Sequence, residues 1–492
     1  MNEESATVYR QLGVEPIVNC GSSRSVYGNS VPSDAVREAM DGASRHYVIL
    51  EELGEAAGRR LAALTGAEWG MITAGSATGL ALGAAACVAA NDPLRMLRLP
   101  GAFGAEERVV LVPKGQRFAY DQGLRLVGAK IVEVEDVAAL TSALAAHNVV
   151  TILVLAERDA GASLTFEQIL PHARARNIPI LVDAASDALE SPEIWTARGA
   201  DLVVYSVSKL MRGPAASGLL LGREALVRAA WYNGPPHHSF GRVMKIGKEQ
   251  IVGALAAVEQ WFAHDHAAER RLWRQRLDTV RDRLQPINAL RLDFDTLAGG
   301  IPRLRVDWSE CRPGLTFAEL QAALLSRRPR ILIDDYGGSE TSSMINPFAL
   351  SDDDARLVAE ALFEALSAER PPNPEGAANA CDVGGEWRVE IAFATGPAVH
   401  SLHLRRQEDA LSGRHVTPYG DGEAEGTMTA GGFDLQVFHM VEGSFVSFRF
   451  VAETCTPDRL SGFVELGAAG SHTKGPTTLR QFGKVPFSAE RP

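Results

Sequence analysis

The chain has 492 residues and a formal net charge of −12, because 61 acidic residues outnumber 49 lysines and arginines. Its composition, 46% hydrophobic and 22% charged, is that of an ordinary soluble globular protein, and its length suggests about three domains. The acidic balance argues against a general nucleic-acid or anionic-membrane surface, so we expect neither kind of partner.

The N-terminal stretch MNEESATVYRQLG lacks the basic and apolar regions of a signal peptide. The most apolar window, residues 79–90, is too short and too rich in alanine to span a bilayer. Five scattered cysteines without a C-x-x-C spacing favour reduced thiols over disulfides or zinc. We therefore expect a cytoplasmic protein.

Short apolar runs alternate with helical patterns from residue 51 to 265, and this alternation is typical of βαβ units. It predicts a mostly parallel sheet with helices on both faces, whose sites form at the carboxyl ends of the strands. The predicted strands are 108–113 (RVVLVP), 129–134 (AKIVEV), 149–156 (VVTILVLA), 178–185 (IPILVDAA), 201–206 (DLVVYS) and a strand in SGLLLG, 217–222.

Residues 266–370 predict a small α+β domain, onto which the N-terminal residues 1–50 are expected to pack. A stretch rich in proline, glycine and asparagine follows and predicts a linker at 371–385. From 386 to 492, apolar and polar residues alternate between glycine-rich turns, which indicates an antiparallel β domain, either a sandwich or a small barrel.

The stretch MITAGSATGLALGAAACVA leads from a short strand into a helix of small residues. Free backbone N–H groups and the positive end of the helix dipole would form an anion cup there. The cup residues are Gly75, Ser76, Ala77 and Thr78. A Gly/Ser loop before a helix is by itself more often a plain turn.

Two further strand ends carry charge. Asp183 ends an apolar strand, where a lone carboxylate is costly without a cationic partner. Lys209 follows 26 residues later, directly after the hydroxyls of Ser206 and Ser208. A phosphate cup, a carboxylate for the pyridine nitrogen and a lysine for a Schiff base are the three groups that pyridoxal 5'-phosphate needs. We therefore predict this cofactor, with Lys209 and Asp183 as catalytic residues.

These motifs resemble those of fold-type I pyridoxal-phosphate enzymes. The similarity is greatest to the group that contains bacterial selenocysteine synthase and D-glucosaminate-6-phosphate ammonia-lyase-like proteins, and it covers roughly residues 10–262. It rests on EPIVNCGSSRSVYGNSVPSDAVREAM, LTGAEWGMITAGSATGLALGAAACVA, IPILVDAASD, GADLVVYSVSKLMRGPAASGLLLGR and GRVMKIGKEQIVGALAAVEQWF. The resemblance implies a homodimer or higher homo-oligomer, in which Arg242, Lys245 and Lys248 lie near the neighbouring subunit's cofactor.

The chain departs from this group at two places. Val207-Ser208 stands where relatives often have two glycines before the lysine. Gln116 stands near a position where relatives often have a histidine that stacks on the cofactor. Phe118 or Tyr120 could supply a ring instead, so the stacking residue is left unassigned.

The cofactor supports several reactions, and the fold does not choose among them. Aminotransferases of this fold commonly bind the substrate carboxylate with an arginine before the last helix of the small domain, where this chain has Asn346. Candidate substrate-binding residues elsewhere are Arg24, Arg117, Arg212, Arg242 and Lys245. Selenocysteine synthase also fits poorly, because the chain shows no basic stripe for tRNA.

We therefore expect a lyase that removes the Cα proton of a polar, hydroxylated or phosphorylated amino acid, eliminates a β-substituent, and releases a 2-oxo acid and ammonia. An aminotransferase or another transferase of the selenocysteine-synthase-like group stays an alternative. A third possibility is a non-catalytic scaffold whose β domain binds a partner. No residues with metal-ligand spacing stand out, so no metal is expected, and 264–273 (HDHAAERRLW) is predicted to be an exposed helix face.

Overall fold

The computed structural model describes residues 7–101, 107–188, 194–297, 300–368, 381–469 and 482–492. Most of the predicted linker, residues 371–380, lies outside these ranges. None of the helices in the described ranges is both long and apolar enough to cross a membrane.

The helices, in chain order, are α1 (Thr7–Gln11), α2 (Asp34–Ser44), α3 (Leu50–Thr65), α4 (Ser76–Ala89), α5 (Pro93–Met96), α6 (Gln122–Arg125), α7 (Val137–Ala146), α8 (Ala156–Asp159), α9 (Phe166–Ala175), α10 (Ile194–Arg198), α11 (Glu224–Asn233), α12 (Lys248–Ala263), α13 (His266–Leu284), α14 (Phe317–Ser326) and α15 (Asp352–Ser367). Short 3₁₀ turns lie at Ser25–Tyr27, Ala119–Asp121 and Phe240–Val243.

The strands are β1 (Ile17–Asn19), β2 (Trp69–Thr73), β3 (Arg108–Pro113), β4 (Lys130–Val134), β5 (Asn148–Leu155), β6 (Ile180–Asp183), β7 (Leu202–Ser206), β8 (Gly218–Gly222), β9 (Arg291–Thr296), β10 (Pro302–Asp307), β11 (Arg330–Leu332), β12 (Asp334–Ser339), β13 (Ser342–Ile345), β14 (Gly385–Phe393), β15 (Gly396–Gln407), β16 (Ala410–Thr417), β17 (Gly420–Met428), β18 (Phe433–Val441), β19 (Ser444–Cys455), β20 (Arg459–Ala469) and β21 (Lys484–Glu490).

Seven strands form the large sheet, in the order β2-β8-β7-β6-β5-β3-β4. Four of its pairings are parallel, and β8 is antiparallel to both of its neighbours. All six strands predicted from apolar runs are present, and the prediction of a mostly parallel α/β sheet is confirmed. The strands of such a sheet are covered by helices on both faces. Apolar, β-branched segments bounded by turn residues therefore form them readily, since all of their side chains are buried.

Helices cover both faces of this sheet. Successive residues of one strand belong to different apolar clusters, with Leu111 on one face and Val110 on the other, and both are fully buried. The small residues of α4 let it pack closely, since the backbone at Gly79 lies against Val204 of β7. Fully burying one such aliphatic side chain contributes about 1.5–3 kcal/mol to the free energy of unfolding, so the two apolar clusters stabilise the sheet whose edge carries the site.

A four-stranded antiparallel sheet, β12-β13-β10-β9, forms with α13, α14 and α15 a second unit built around Trp308 and Phe317. The N-terminal strand β1 pairs in parallel with β11, and Val18 and Cys20 belong to the apolar core of this unit. The early part of the chain is therefore bonded to a strand more than 300 residues away.

The C-terminal strands β14 to β21 form a closed antiparallel barrel, which decides between the predicted sandwich and barrel. Its interior is filled by the inward residues of the alternating pattern, among them Trp387, Phe433 and Phe450, which are fully buried. An eight-stranded barrel is just wide enough for side chains to fill it, and this interior is accordingly a packed core.

Candidate active site

The carboxyl ends of the central strands meet at one edge of the large sheet. The parallel strands β5, β6 and β7 end there at Leu155, Asp183 and Ser206. Strand β2 runs in the same direction, because both β2 and β7 are antiparallel to β8, so α4 also begins at this edge. The fold thus brings the predicted cup, the carboxylate and the lysine to the edge where α/β folds place their ligands.

Lys209 lies in the turn after β7, where its Nζ donates a hydrogen bond to Ser186 Oγ at 3.0 Å. Burial lowers the pKa of Lys209, and the negative charges of Asp183, Glu157 and Asp187 partly offset this effect. The lowered pKa favours the neutral amine, which is the form able to attack a carbonyl or accept a proton. Ser186 is a site residue that the sequence analysis missed, although it stands only three positions after Asp183.

The two predicted hydroxyls lie beneath this turn. Ser206 Oγ and Ser208 Oγ are buried and 3.2 Å apart, within hydrogen-bond distance of each other. Ser30 Oγ donates to the Ser208 carbonyl at 2.7 Å, and Gly213 N donates to Val207 O at 2.9 Å. These bonds fix the turn that presents the lysine, and a role of the serines in phosphate binding stays a prediction.

Asp183 ends β6 and is buried, with 8% of its surface exposed. Burial raises the pKa of Asp183 to about 6, opposed by a hydrogen bond from the Ala185 N–H and by the Lys209 charge. The Ala185 N–H donates to Oδ1 at 2.9 Å. A buried carboxylate of this kind gains most from a cationic N–H partner, so its chemistry fits a protonated pyridine nitrogen.

The backbone at the start of α4 fits a phosphate group. Gly75 precedes the helix with φ 98°, a conformation that favours glycine, and no side chain caps the helix. Thr78 Oγ1 donates to Ala74 O at 3.0 Å and so turns back to the preceding strand end. The first N–H groups of a helix have no intrahelical acceptor, so those of Ser76, Ala77 and Thr78 are available to an anion.

Gly218 packs directly against the backbone of this cup, so a substitution there tests whether the cup binds the cofactor. A Cβ at Gly218 would lie 2.6 Å from both Gly75 C and Ser76 N. We expect Gly218→Ala to displace the cup and to weaken pyridoxal phosphate binding roughly 5- to 150-fold, since overpacking a close contact costs about 1–3 kcal/mol. The measurement is a titration with the cofactor, with Gly161→Ala as control, because a Cβ at Gly161 meets nothing within 4 Å. Unchanged affinity in Gly218→Ala would contradict a role of this cup.

The loop after β3 holds Gln116, which is fully buried. Its Oε1 accepts a hydrogen bond from Leu155 N at 2.8 Å, while its Nε2 is buried without a partner among the described residues. A buried donor without an acceptor is costly unless a ligand supplies one, so this atom also fits a bound group. Phe118 packs in the core and Tyr120 is 58% exposed, so the residue that would stack on the cofactor stays unassigned.

Three of the predicted substrate-binding arginines are already engaged with carboxylates. The pairs are Arg24 with Asp334 (3.3 Å) and Asp335, Arg117 with Asp121 and Glu442 (2.6 Å), and Arg212 with Glu269 (2.8 Å). Arg242 and Lys245 are exposed, and within the described ranges neither forms an ion pair. A substrate carboxylate would have to compete for the first three side chains, whereas the last two are available to an anion.

The segment at the start of α13 differs from its prediction as an exposed helix face. The Glu269 side chain is 15% exposed, because its carboxylate accepts from Arg212 and lies 3.2 Å from His264 Nε2, and Trp273 is buried. His264, His266 and Glu269 are the one group of three or more His, Cys, Asp or Glu residues in the described chain whose possible metal-binding atoms lie within 4.8 Å of one another. One Glu269 oxygen already accepts from Arg212, and the other lies against His264.

Three histidines form a hydrogen-bonded row inside the barrel, a feature that the sequence analysis missed. His400 Nδ1 lies 3.0 Å from His415 Nε2, and His415 Nδ1 lies 2.9 Å from His439 Nε2. All three are buried, and burial lowers the pKa of His415 to about 3. The rings are therefore neutral at pH 7. Their signal was present in the alternation, because each falls on an inward position of its strand.

No protein-family model matches the chain. It is 33% identical to 5'-C-glycyluridine monooxygenase-decarboxylase from a Streptomyces species, across 73% of this chain and 92% of the relative. It is 27% identical to D-glucosaminate-6-phosphate ammonia lyase of Salmonella typhimurium, across 73% of this chain and 97% of the relative. A solved structure of D-glucosaminate-6-phosphate ammonia-lyase superposes with a TM-score of 0.63 and 27% identity, covering 73% of this chain and 98% of that one.

Proposed function

The chain belongs to the fold-type I pyridoxal-phosphate-dependent enzymes, in the group of D-glucosaminate-6-phosphate ammonia lyase and selenocysteine synthase, and on this premise we propose that it is a lyase for a polar amino acid. The proposed substrate is hydroxylated or phosphorylated, and the proposed products are a 2-oxo acid and ammonia. The observation that carries the proposal is the half-buried amine of Lys209 at the same sheet edge as the Asp183 carboxylate and the α4 cup.

Each residue has a distinct task in this proposal. The N–H groups at the start of α4 would hold the phosphate of the cofactor, and Asp183 would keep its pyridine nitrogen protonated. Pyridoxal phosphate supplies an electron sink that makes the substrate Cα–H acidic. Lys209 Nζ accepts that proton, and Ser186 orients the amine through its hydrogen bond. Burial favours the neutral amine of Lys209, which this step requires.

The net reaction is balanced without an oxidant. For a β-hydroxy amino acid, the Cα–H and Cβ–O bonds break and water is lost, which leaves an enamine. Water then hydrolyses the released enamine to a 2-oxo acid and an ammonium ion. The product pair therefore has the same atoms as the substrate, and ammonia forms in equal amount to the 2-oxo acid.

Asn346 supports the lyase over an aminotransferase. It stands where aminotransferases of this fold commonly have an arginine, and it is fully buried with its Oδ1 accepting from Phe348 N at 3.0 Å. A neutral, locally bonded amide cannot form the bidentate pair by which an arginine holds a carboxylate.

The similarity to a monooxygenase-decarboxylase favours a second candidate, oxidative decarboxylation of an amino acid. That reaction consumes O₂ and releases the substrate carboxylate as CO₂, whereas elimination does neither. The two candidate reactions therefore differ in O₂ uptake and CO₂ release as well as in their organic products.

The experiment is a panel of β-hydroxy and phosphorylated amino acids added to the cofactor-loaded protein. Ammonia, 2-oxo acid, CO₂ and O₂ are measured in the same reactions. We expect ammonia and 2-oxo acid in equal amounts, with no O₂ uptake. Release of CO₂ with O₂ uptake would favour the second candidate, and turnover only in the presence of an added 2-oxo acid would favour an aminotransferase.

A homodimer or higher homo-oligomer and a cytoplasmic location are part of the same proposal. Support for the oligomer comes from large apolar side chains that are exposed on the single chain: Tyr47, Val48, Ile49 and Val243, with Tyr47 fully exposed. Tyr47, Val48 and Ile49 are consecutive, and exposed apolar groups of this kind are typical of protein–protein interfaces. The five cysteines are free thiols, which supports a reducing compartment.

A further inference from the structure

The hairpin between β18 and β19 projects from one end of the barrel. Val441 and Ser444 are paired across it, and the two connecting residues, Glu442 and Gly443, have φ of 47° and 72°. Positive φ at both central residues defines a type I′ turn, the tightest connection that matches the twist of two antiparallel strands. The tip is therefore narrow and has a defined shape.

This tip lies against the loop after β3, at the site edge of the large sheet. A Cβ at Gly443 would lie 2.7 Å from Phe118 N and 2.9 Å from Arg117 Cβ. The turn therefore touches the loop backbone directly, with no space for a side chain between them. Glycine at this position satisfies both the positive φ and the close approach.

Charge complementarity joins the same two segments. Glu442 Oε2 accepts from Arg117 Nη2 at 2.6 Å and lies 3.7 Å from Arg125 Nε. Arg117 also donates through Nε to Asp121, whose side chain is fully buried. The hydrogen bond from Arg117 lowers the pKa of Glu442, so this carboxylate is charged at pH 7. Two carboxylates and two arginines thus neutralise one another at the contact.

The loop continues from this contact to the site. Gln116, next to Arg117, bonds to Leu155 N at 2.8 Å, and Leu155 is in register with Asp183 on the neighbouring strand. The unpartnered Nε2 of Gln116 is buried at this edge. Arg117, which pairs with Glu442 of the barrel, is therefore directly adjacent in sequence to Gln116, which is bonded to the end of β5 beside Asp183 of β6.

We propose that the barrel hairpin positions the loop 114–121 for the cofactor site, with Glu442 as the positioning residue that acts through Arg117. The barrel then has a task in the reaction of its own chain, by holding Gln116 in place beside the end of β5. This inference rests on the proposed cofactor site, but the contact itself exists without the cofactor. The two can therefore be tested apart.

The test compares Glu442→Ala with Glu408→Ala. Glu408 is the matched control, since it is an exposed glutamate with φ 56° in the two-residue turn between β15 and β16, at the other end of the barrel. In cofactor-free protein, we expect faster hydrogen–deuterium exchange at 114–121 in Glu442→Ala and wild-type exchange in Glu408→Ala. We also expect pyridoxal phosphate affinity to fall roughly 2- to 30-fold in Glu442→Ala only.

A second variant, Gly443→Ala, keeps the charge but forces the tip away from Phe118, and the same two changes are expected. In both variants kcat should fall more than KM rises, because the loop holds the cofactor site and not the substrate. Wild-type exchange at 114–121 in both variants would disprove the docking. Faster exchange with unchanged cofactor affinity and kcat would disprove the positioning role. If wild-type protein binds no cofactor, the proposed function fails, and exchange still decides whether the hairpin holds the loop.

Discussion

Replacing Lys209 by alanine is expected to abolish the visible absorption that the wild-type protein shows with pyridoxal phosphate, and to lower amino-acid turnover roughly 10²–10⁴-fold. The reason is that this half-buried amine is both the proposed attachment point for the cofactor and the proposed proton acceptor at Cα. Absorption spectra and steady-state rates of the two proteins measure the effect. Borohydride reduction of the wild type, followed by peptide mass mapping, should find the cofactor on the peptide that contains Lys209.

Lys130→Ala is the control for this experiment. Lys130 begins β4 at the opposite edge of the sheet, and its side chain is 60% exposed and lies 3.7 Å from Glu107. Its removal should leave spectrum and turnover unchanged. If the reduced cofactor were found on another lysine, or if Lys209→Ala kept full activity, the assignment of Lys209 would be wrong.

Asp183→Asn is expected to lower activity by roughly 10²-fold or more while making the cofactor-free protein more stable. Burial raises the pKa of Asp183 to about 6, against an ordinary value of 3.8, so the charged carboxylate disfavours the folded state at pH 7. Asparagine can keep the bond from Ala185 N without that charge. The free energy of unfolding should rise by about 1–3 kcal/mol at pH 7.

The sign of this effect depends on pH. Because the folded-state pKa of Asp183 is raised, its ionisation costs stability that is fully lost above about pH 6 and is regained as pH falls through 6 toward the ordinary value of 3.8. Urea unfolding at pH 7 and pH 4 should therefore show a much larger gain in Asp183→Asn at pH 7 than at pH 4. Asp201→Asn is the control, because Asp201 accepts from Ile180 N at the opposite edge of the sheet. A purely structural Asp183 would give lower stability and unchanged catalysis.

The sheet, and the position of Asp183 and Lys209 at the carboxyl ends of its strands, could be predicted because their signals are local. Strand β3 coincides with the apolar run 108–113, and buried parallel strands must be apolar on both faces. Asp183 and Lys209 stand out because charge at the end of such a run is costly without a purpose. The alternating C-terminal pattern likewise predicted antiparallel strands, but the choice between sandwich and barrel needed the pairing of β14 with β21, which close the barrel.

The ion pairs that the arginines form could not be predicted, because the carboxylate partners are distant in sequence. Glu442 is 325 positions from Arg117, and Asp335 is 311 positions from Arg24. A sequence shows that an arginine is present, but not that another segment has already neutralised it. The role of Gln116 escaped for the same reason, since its partner Leu155 reaches it only through the pairing of β3 with β5.

The three histidines of the row in the barrel depend on one another, so a substitution at one position changes the hydrogen bonding of the others. Each neutral ring can donate one hydrogen bond and accept one, so His400, His415 and His439 satisfy one another in a head-to-tail order. Exchange of the middle ring for an apolar residue leaves a buried donor or acceptor on both neighbours, at about 1–3 kcal/mol each. Replacement of all three together by apolar residues leaves none. Evolution can therefore change this layer of the barrel in one concerted step far more readily than one residue at a time.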